Sequence, residues 1–405
     1  MRLRGVLALL LLLCIHGGHR GAAAGGDGFV RVRGTRFVLN GNPFFANGFN
    51  AYWLMSFGAD PAQRGKVTSA LSQAAGAGLT VARTWAFSDG GGSNALQYSP
   101  GRYNENTFQG LDFVLSEARK HGIKMILSLV NSYDSFGGRK QYVQWAREQG
   151  QSIGSDDEFF TNPVVKGFYK NHIKAVLTRV NTVTGVAYKD DPTIMAWELM
   201  NEPRCQSDLS GRTLQSWITE MAAHVKSIDG AHLLEAGLEG FYGAPRAAAN
   251  PSGYQLGTDF VANNRAPGID FATVHAYPDQ WLPGLDAASQ LRFLGGWLDA
   301  HIADARAALG KPLVVAEFGS GAQRDEVFGE VYGKVYESAR AGGPAAGALF
   351  WQLMAEGMDS YGDGYEVVLG QAPSTAGVIA TQSRRLHGLV RAFGKATGKG
   401  ANGGN

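Results

Sequence analysis

Two glutamates in this chain are placed where acid–base chemistry would need them. Glu202 lies in Trp197-Glu-Leu-Met-Asn-Glu-Pro-Arg-Cys205, and Glu317 in Pro312-Leu-Val-Val-Ala-Glu-Phe-Gly319. Each ends an apolar run of strand-like composition. Paired carboxylates across a pocket are what cleavage of a glycosidic bond requires. One must be protonated, to give its proton to the leaving oxygen. The other must stay ionised, to attack or stabilise the positive sugar carbon. Burial and neighbouring charges can push two carboxyl pKa values apart in this way. Glu198 shares side-chain parity with Glu202 but lies about 13 Å deeper at strand rise. It reads as a structural acid paired with an arginine. Pro203 cannot donate to a strand ladder, so pairing stops near it and Glu202 emerges at the mouth.

These acids need a scaffold. Short apolar runs recur at 44–50, 79–85, 123–130, 194–200, 232–236, 269–275, 312–317 and 346–351. Helical patterns separate most of them. One at 109–121 stops at Gly122, and another at 291–309 stops at Gly310. Continuous apolar strands alternating with helices imply a parallel sheet covered on both faces. Eight such units predict a (β/α)8 TIM barrel, one domain with enlarged loops on the C-terminal face of the strands. An open doubly wound sheet is the alternative, but no strand is followed by its Gly-rich phosphate fingerprint.

In such a barrel, function collects at the C-terminal strand ends. Arg83, Trp85 and Phe87 share parity at the second strand, and Arg83 is suited to hold a carboxylate ionised. Thr273, His275 and Tyr277 share parity at the sixth. Tyr277 is placed to donate to a nucleophile, and His275 to orient a group beside the acid. Trp351 ends the eighth strand, where a flat ring can stack on a sugar face. Tyr52, Trp53, Tyr133, Phe136, Trp281 and Tyr361 populate loops around it. Singly, each has a plainer reading. His275 and Trp351 suit a core, Arg83 a barrel ion pair, Trp53 and Trp281 loop packing, and Cys205 a small buried position. Only the joint pattern carries the chemistry.

Composition narrows the partners. The 405 residues carry a formal charge of +2. Arg2 and Arg4 precede an apolar run at 6–15 and a small-residue patch at 21–24, the layout of a secretory leader over residues 1–24. The catalytic domain is expected at 25–393, and a Gly-rich frayed tail at 394–405. Loss of the leader removes three arginines and brings the charge to −1. A near-neutral protein has no attraction for nucleic acid or an anionic membrane; it suits an uncharged partner. Cys14 leaves with the leader, so Cys205 has no internal disulfide partner. No permitted Asn-x-Ser/Thr sequon occurs. His275 is the only histidine at a strand mouth, which leaves a metal-dependent hydrolase short of ligands. No metal, cofactor or obligate protein partner is expected.

The stretch 197–204, with Val314-Val-Ala-Glu-Phe-Gly319, resembles glycoside hydrolase family 5. Nearly the whole chain after the leader resembles the plant endo-β-1,4-mannanases of that family. Phe136-Gly-Gly-Arg-Lys-Gln-Tyr-Val143, Phe159-Phe-Thr-Asn-Pro-Val164 and Val274-His-Ala-Tyr-Pro-Asp279 support this. Asn-Glu-Pro alone indicates only the Asn–Glu clan of retaining barrels. The resemblance implies Glu202 as acid/base and Glu317 as nucleophile. It implies Asn201 on the substrate's 2-hydroxyl, with Arg83, His275, Tyr277 and Trp351 completing the set. Arg204 would touch sugar on the leaving-group side. Trp85 and Trp281 are expected to line the substrate cleft. The implied activity is endo-hydrolysis of mannan, galactomannan or glucomannan with retention, and with transglycosylation on an aromatic acceptor side. The implied location is extracellular or the cell wall. A β-1,4-glucanase of the same clan would share the catalytic residues. A non-catalytic wall-polysaccharide-binding protein would not need them. One geometric difficulty stands: Asn201 and Glu202 are adjacent and would face opposite ways in a regular strand.

Overall fold

In the computed structural model, which describes residues 27–399, the eight apolar runs become eight strands of one sheet. In chain order they are β1 (Ala46–Asn50), β2 (Val81–Trp85), β3 (Lys124–Ser128), β4 (Ile194–Glu198), β5 (Leu233–Glu235), β6 (Ala272–Ala276), β7 (Leu313–Phe318) and β8 (Ala345–Phe350). Neighbours pair in parallel in the order β5-β4-β3-β2-β1-β8-β7-β6. The Asp270 amide donates to the Leu234 carbonyl and the His275 amide to that of Glu239, both at 2.8 Å. These bonds bring β6 against β5 and close the ring. The fold is a (β/α)8 barrel, as expected. Every strand residue except Lys124 is buried. Helices cover the outside and side chains fill the inside, which is why the runs lack polar alternation.

Val81, Ile126, Ala196, Leu233 and Val314 belong to the cluster that fills the barrel's lower half. Phe37 joins them, fully buried and edge-on to Phe271 at 5.2 Å. It comes from three short antiparallel strands, Val30–Arg33, Arg36–Leu39 and Asn42–Phe44, that precede the barrel. These strands have no continuous apolar run, so only the structure reveals them. The helix Glu105–His121 begins on Asn104, whose side chain accepts from two amides, and ends on Gly122 at φ 68°. The expected helix at 291–309 is two pieces, an α-helix Ala287–Asp304 and a π turn Ala305–Leu309 before Gly310.

Two expectations concern the termini. The leader at 1–24 lies outside the described residues. The last helix, Pro373–Lys399, runs into the stretch expected as a tail from residue 394, whose remainder lies outside the described residues. Extending an existing helix adds one bond per residue and needs no new nucleus, so Lys and Ala between the glycines suffice.

The loops after β2 and β3 interlock. The Asp89 amide donates to the Phe136 carbonyl at 2.8 Å, and Phe136 itself has φ 59°. A Cβ on Gly137 would lie 2.2 Å from the Asp89 carbonyl oxygen, so only glycine fits there. The Asp89 carboxyl is buried. Gln97 donates to its Oδ1 at 3.2 Å, and its Oδ2 has no partner. Burial pushes its pKa up to about 8, against the opposing influence of Gln97 and the nearby Tyr142 hydroxyl.

Two stability measurements follow. A Cβ on Gly48 in β1 would meet the Val81 carbonyl oxygen of β2 at 1.9 Å. Gly48→Ala is expected to cost about 3 kcal/mol, the upper end for overpacking. Gly65→Ala, on an exposed helix with open space around it, should instead gain about 0.5 kcal/mol. Thermal melts that rank the two alike would refute the close approach. For Asp89, the folded form keeps a proton that the unfolded chain releases above pH ~4. Stability therefore falls as pH rises from there to about 8. Asp89→Asn should melt above the wild type near pH ~9 and no higher near pH ~4. A variant that melts lower at both would show that Asp89 works ionised.

Candidate active site

Arg83 from β2 is fully buried and uses all five of its N–H donors. Nε donates to Glu198 Oε2 at 2.5 Å, and Nη2 to Glu198 Oε1 and Asn201 Oδ1 at 2.7 Å each. Nη1 donates to Asn50 Oδ1 at 2.9 Å and to Glu317 Oε1 at 2.6 Å. Glu198 is thus the structural acid expected, paired bidentately. Asn50 in turn donates to the Ala316, Leu349 and Phe350 carbonyls, tying β1 to β7 and β8.

The two glutamates reach the mouth by irregular backbone. In β7, Val314 and Ala316 belong to the inner cluster, while Phe318 packs outward against Phe328 and Tyr332. Strict alternation would send Glu317 outward with Phe318's neighbours. The pairing of β7 with both flanking strands slips here, and the bulge turns Glu317 inward. Beyond β4, the Asn201 amide bonds to the Val130 carbonyl and the Glu202 amide to that of Gly237. Glu202 takes φ 51°. This left-handed turn lets adjacent Asn201 and Glu202 serve one site. It costs a non-glycine residue about 1–3 kcal/mol, offset by the neighbours that hold it.

β6 supplies the connecting groups. His275 Nδ1 lies 2.6 Å from Glu202 Oε1 and 3.6 Å from Glu317 Oε2. The Tyr277 hydroxyl donates to Glu317 Oε2 at 2.7 Å. One oxygen of each glutamate and a His275 nitrogen all fall within 4.8 Å of one another. This is the one such cluster of potential metal ligands among the described residues. Its members already have partners there, from Arg83, Tyr277 and one another.

The electrostatics follow from these contacts. Burial opposes the Arg83 charge, but Glu198 and Glu317 outweigh it and raise its pKa further. Glu198 is buried too, yet the Arg83 charge holds it down to about 2. Burial pushes Glu317 up, with help from the Glu202 charge, against His275 and Arg83. Burial also acts on Glu202, but the His275 hydrogen bond and charge, with Arg204, hold it below the ordinary value. Burial lowers His275, and the two carboxylates more than reverse it. Both shifts favour charge on the His275–Glu202 pair, whose His275 Nδ1 stands one hydrogen bond from Glu202.

Around this centre lies a cleft of about 450 Å³. Trp85, Asn201, Glu202, Arg204, Tyr277, Trp281, Glu317 and Trp351 all line it, so only Arg83 and His275 of the expected set lie beneath. Trp351 stacks on Tyr52 at 6.0 Å and anchors its Nε1 on Asp363. Tyr133 and Phe136 also reach the wall. Other candidates lie outside this cleft. Phe87 is buried behind Trp85, Thr273 bonds to the Leu238 carbonyl, and Trp53 is buried with Nε1 on the Leu353 carbonyl. Cys205 is buried and free.

Several wall residues escape sequence reasoning. Glu239 holds Arg204 through both oxygens, at 2.8 and 2.6 Å. Its pKa is pushed to about 7, chiefly by burial and by the Glu202 charge. It follows no long apolar run; the only local signal is its place between Gly237 and Gly240, both at positive φ. Asn131 accepts from Asn201, and Asp363 and Tyr365 come from a distant loop.

Comparison with known proteins accords with this geometry. Residues 27–363 match the family described as GH family 5 beta-mannosidase-like. A mannan endo-1,4-beta-mannosidase 1 of Oryza sativa subsp. japonica is 73% identical over 404 residues, 96% of this chain and 94% of that protein. A mannan endo-1,4-beta-mannosidase 7 of Arabidopsis thaliana is 62% identical over 91% of this chain and 88% of its own length. Among solved structures, an endo-1,4-beta-mannanase from Rhizomucor miehei superposes with a TM-score of 0.75 at 30% identity, over 88% of this chain and 99% of that one. A matched stretch that includes both glutamate-bearing strands, a shared barrel and near-full-length relatives together place the chain in glycoside hydrolase family 5.

Proposed function

We propose that this chain is an endo-acting β-1,4-mannanase that works by retaining double displacement. The observation that carries the mechanism is the close approach of the two carboxylates, with one oxygen of each within 4.8 Å. Retaining sites hold their carboxyls about 5–5.5 Å apart, and inverting sites about 6.5–9.5 Å. The substrate class rests on the plant mannanases described above.

Glu317 is the nucleophile. Arg83 and Tyr277 donate to its two oxygens, fixing the carboxylate against the anomeric carbon. Glu202 is the acid/base. Its side chain is 12% exposed in the open cleft. A bound sugar strips that remaining solvent and favours the neutral carboxyl, so the His275 proton passes to it. Glu202 then protonates the leaving oxygen as Glu317 attacks. In the second step it deprotonates the water that releases the covalent intermediate. Asn201 accepts from Arg83 at its Oδ1 and donates one amide hydrogen to Asn131, leaving the second amide hydrogen for the 2-hydroxyl. Trp351, Tyr52 and Trp85 form the stacking wall. Arg204, Tyr133 and Trp281 face the acceptor side, where a sugar replacing water would give transglycosylation. A second cavity of about 530 Å³ shares Tyr52, Trp85 and Phe136 with the first. Two adjoining cavities support binding within a chain rather than at its end. The leader pattern at 1–24 supports secretion to the cell wall.

The test is release of reducing ends from linear β-1,4-mannan and, in parallel, from a soluble β-1,4-glucan. Glu202→Gln and Glu317→Gln should each lose about 10³-fold or more in kcat on mannan. Cleavage of the glucan alone would overturn the substrate assignment, and a folded protein inert on both would overturn the enzymatic one. Tyr277→Phe removes a bond that lowers the Glu317 pKa. Its kcat should fall about 10²-fold with KM little changed, and the acid limb of its pH profile should move to higher pH. An acid limb that stays in place would detach Tyr277 from Glu317.

A further inference from the structure

Behind the dyad, β5 supplies a carboxyl that the mechanism above does not use. Glu235 pairs with Glu198 in parallel register, and both side chains are fully buried. Two adjacent acids inside a barrel cannot both be ionised at tolerable cost. Glu198 is the ionised one, because Arg83 donates to both its oxygens. Glu235 has no such cation. Its Oε2 accepts from the Gly237 amide and lies 3.4 Å from the Thr273 hydroxyl of β6, whose single hydrogen has the nearer Leu238 carbonyl as acceptor. Its Oε1 has no partner. A buried oxygen with no donor, beside an ionised carboxylate, is the natural seat for a proton.

We propose that Glu235 is a permanently neutral carboxylic acid whose O–H donates to Glu198, and that it is a positioning residue for the nucleophile. Arg83 carries one positive charge and serves two carboxylates, Glu198 and Glu317. A third negative charge on β5 would draw the guanidinium toward β4 and β5, away from Glu317. Neutral Glu235 adds no such pull. It also satisfies a Glu198 lone pair that Arg83 leaves open, which fixes the plane of that carboxylate and hence of the guanidinium. Burial and the Glu198 charge both act to keep the proton on, against the opposing charge of Arg83. The kinetic consequence rests on the role proposed for Glu317; the protonation state does not.

The experiment compares Glu235→Gln with Glu235→Met. The glutamine amide keeps a donor to Glu198 and no charge, so kcat should stay within about threefold of the wild type. Methionine matches the volume but leaves Glu198 short of a donor, so kcat should fall at least about tenfold with KM little changed. The infrared difference between wild type and Glu235→Gln at neutral pH should show loss of one neutral carboxylic acid C=O band. The proposal is overturned if no such band is lost, or if Glu235→Gln is as impaired as Glu235→Met. Should Glu235→Gln not fold, Asp89→Asn serves instead. Near pH ~9 that protein, with Glu317→Gln added, has neither the Asp89 nor the Glu317 acid and no protonated Glu239, so a neutral-acid band that persists belongs to Glu235, and its absence refutes the idea. The infrared readout needs no turnover, so this proposal and the dyad can fail separately.

Discussion

A guanidinium with every donor committed governs the mouth of this barrel. Arg83 reaches from β2 to residues on or just beyond β1, β4 and β7, and each contact fixes a different side chain. Burying that charge is expensive, and only the carboxylates of Glu198 and Glu317 make it tolerable. The dependence is mutual. Without Arg83, Glu198 would be a fully buried anion with no cation, a loss on the order of 3–5 kcal/mol. Lysine is no substitute, since three donors on a point charge cannot satisfy four acceptor residues in a plane. The constraint also explains the architecture. Strand ends from opposite sides of a sheet come within reach of one side chain only when the sheet closes.

Closure brings the strand ends together, and local irregularity aims their side chains. A regular strand gives the centre one residue in two. This site takes neighbours, Asn201 with Glu202 and Ala316 with Glu317. The turn at Glu202 and the slip in β7 are the two places where regularity yields. Both lie at the end where pairing stops, so the ladder loses little. Held this way, the two carboxylates are ordered by their partners. Glu317 is gripped from below by Arg83 and Tyr277, and Glu202 only from the side by His275. Under the roles proposed above, the less-held group is the one that gives up and recovers a proton.

Sequence reasoning reaches far where a long-range signal is written locally. All eight barrel strands are legible, because burial on both faces makes each a continuous apolar run. Arg83, His275 and Tyr277 are legible because strand parity and a strand end together say where a side chain points, whereas Glu202 and Glu317 are legible only as acids at strand ends, since the turn and the bulge that aim them are not written locally. The short strands before β1 carry no such run. Asn50 is hidden because its role is to bind carbonyls of β7 and β8, some 270–300 residues away in sequence. Glu239 and Asp363 sit on loops, whose paths depend on tertiary packing rather than periodicity. The Phe136 loop is half legible. Its glycines signal a turn, but not that the turn interlocks with Asp89.

The cleft divides its labour by burial. Its central charges lie deep: Arg83 and Glu198 are wholly inaccessible and Glu317 nearly so, while Arg204 and Asp363 reach the rim. Its exposed large hydrophobic side chains are rings, with Tyr133 at 39% and Phe136 at 43% exposure. A neutral sugar chain has no charge to be steered by, so surface charge would add little to its capture. It has apolar C–H faces, which aromatic rings can cover. The transition state differs, for it carries positive charge at the sugar carbon. Buried carboxylates meet that charge where water cannot screen it, and preorganised donors hold them there. Aromatics at the rim bind a ground state that has no charge, and ions at the base bind the one state that does. The exposed rings therefore raise affinity for bound chain and transition state alike, while the buried network, through Arg83, is what separates them.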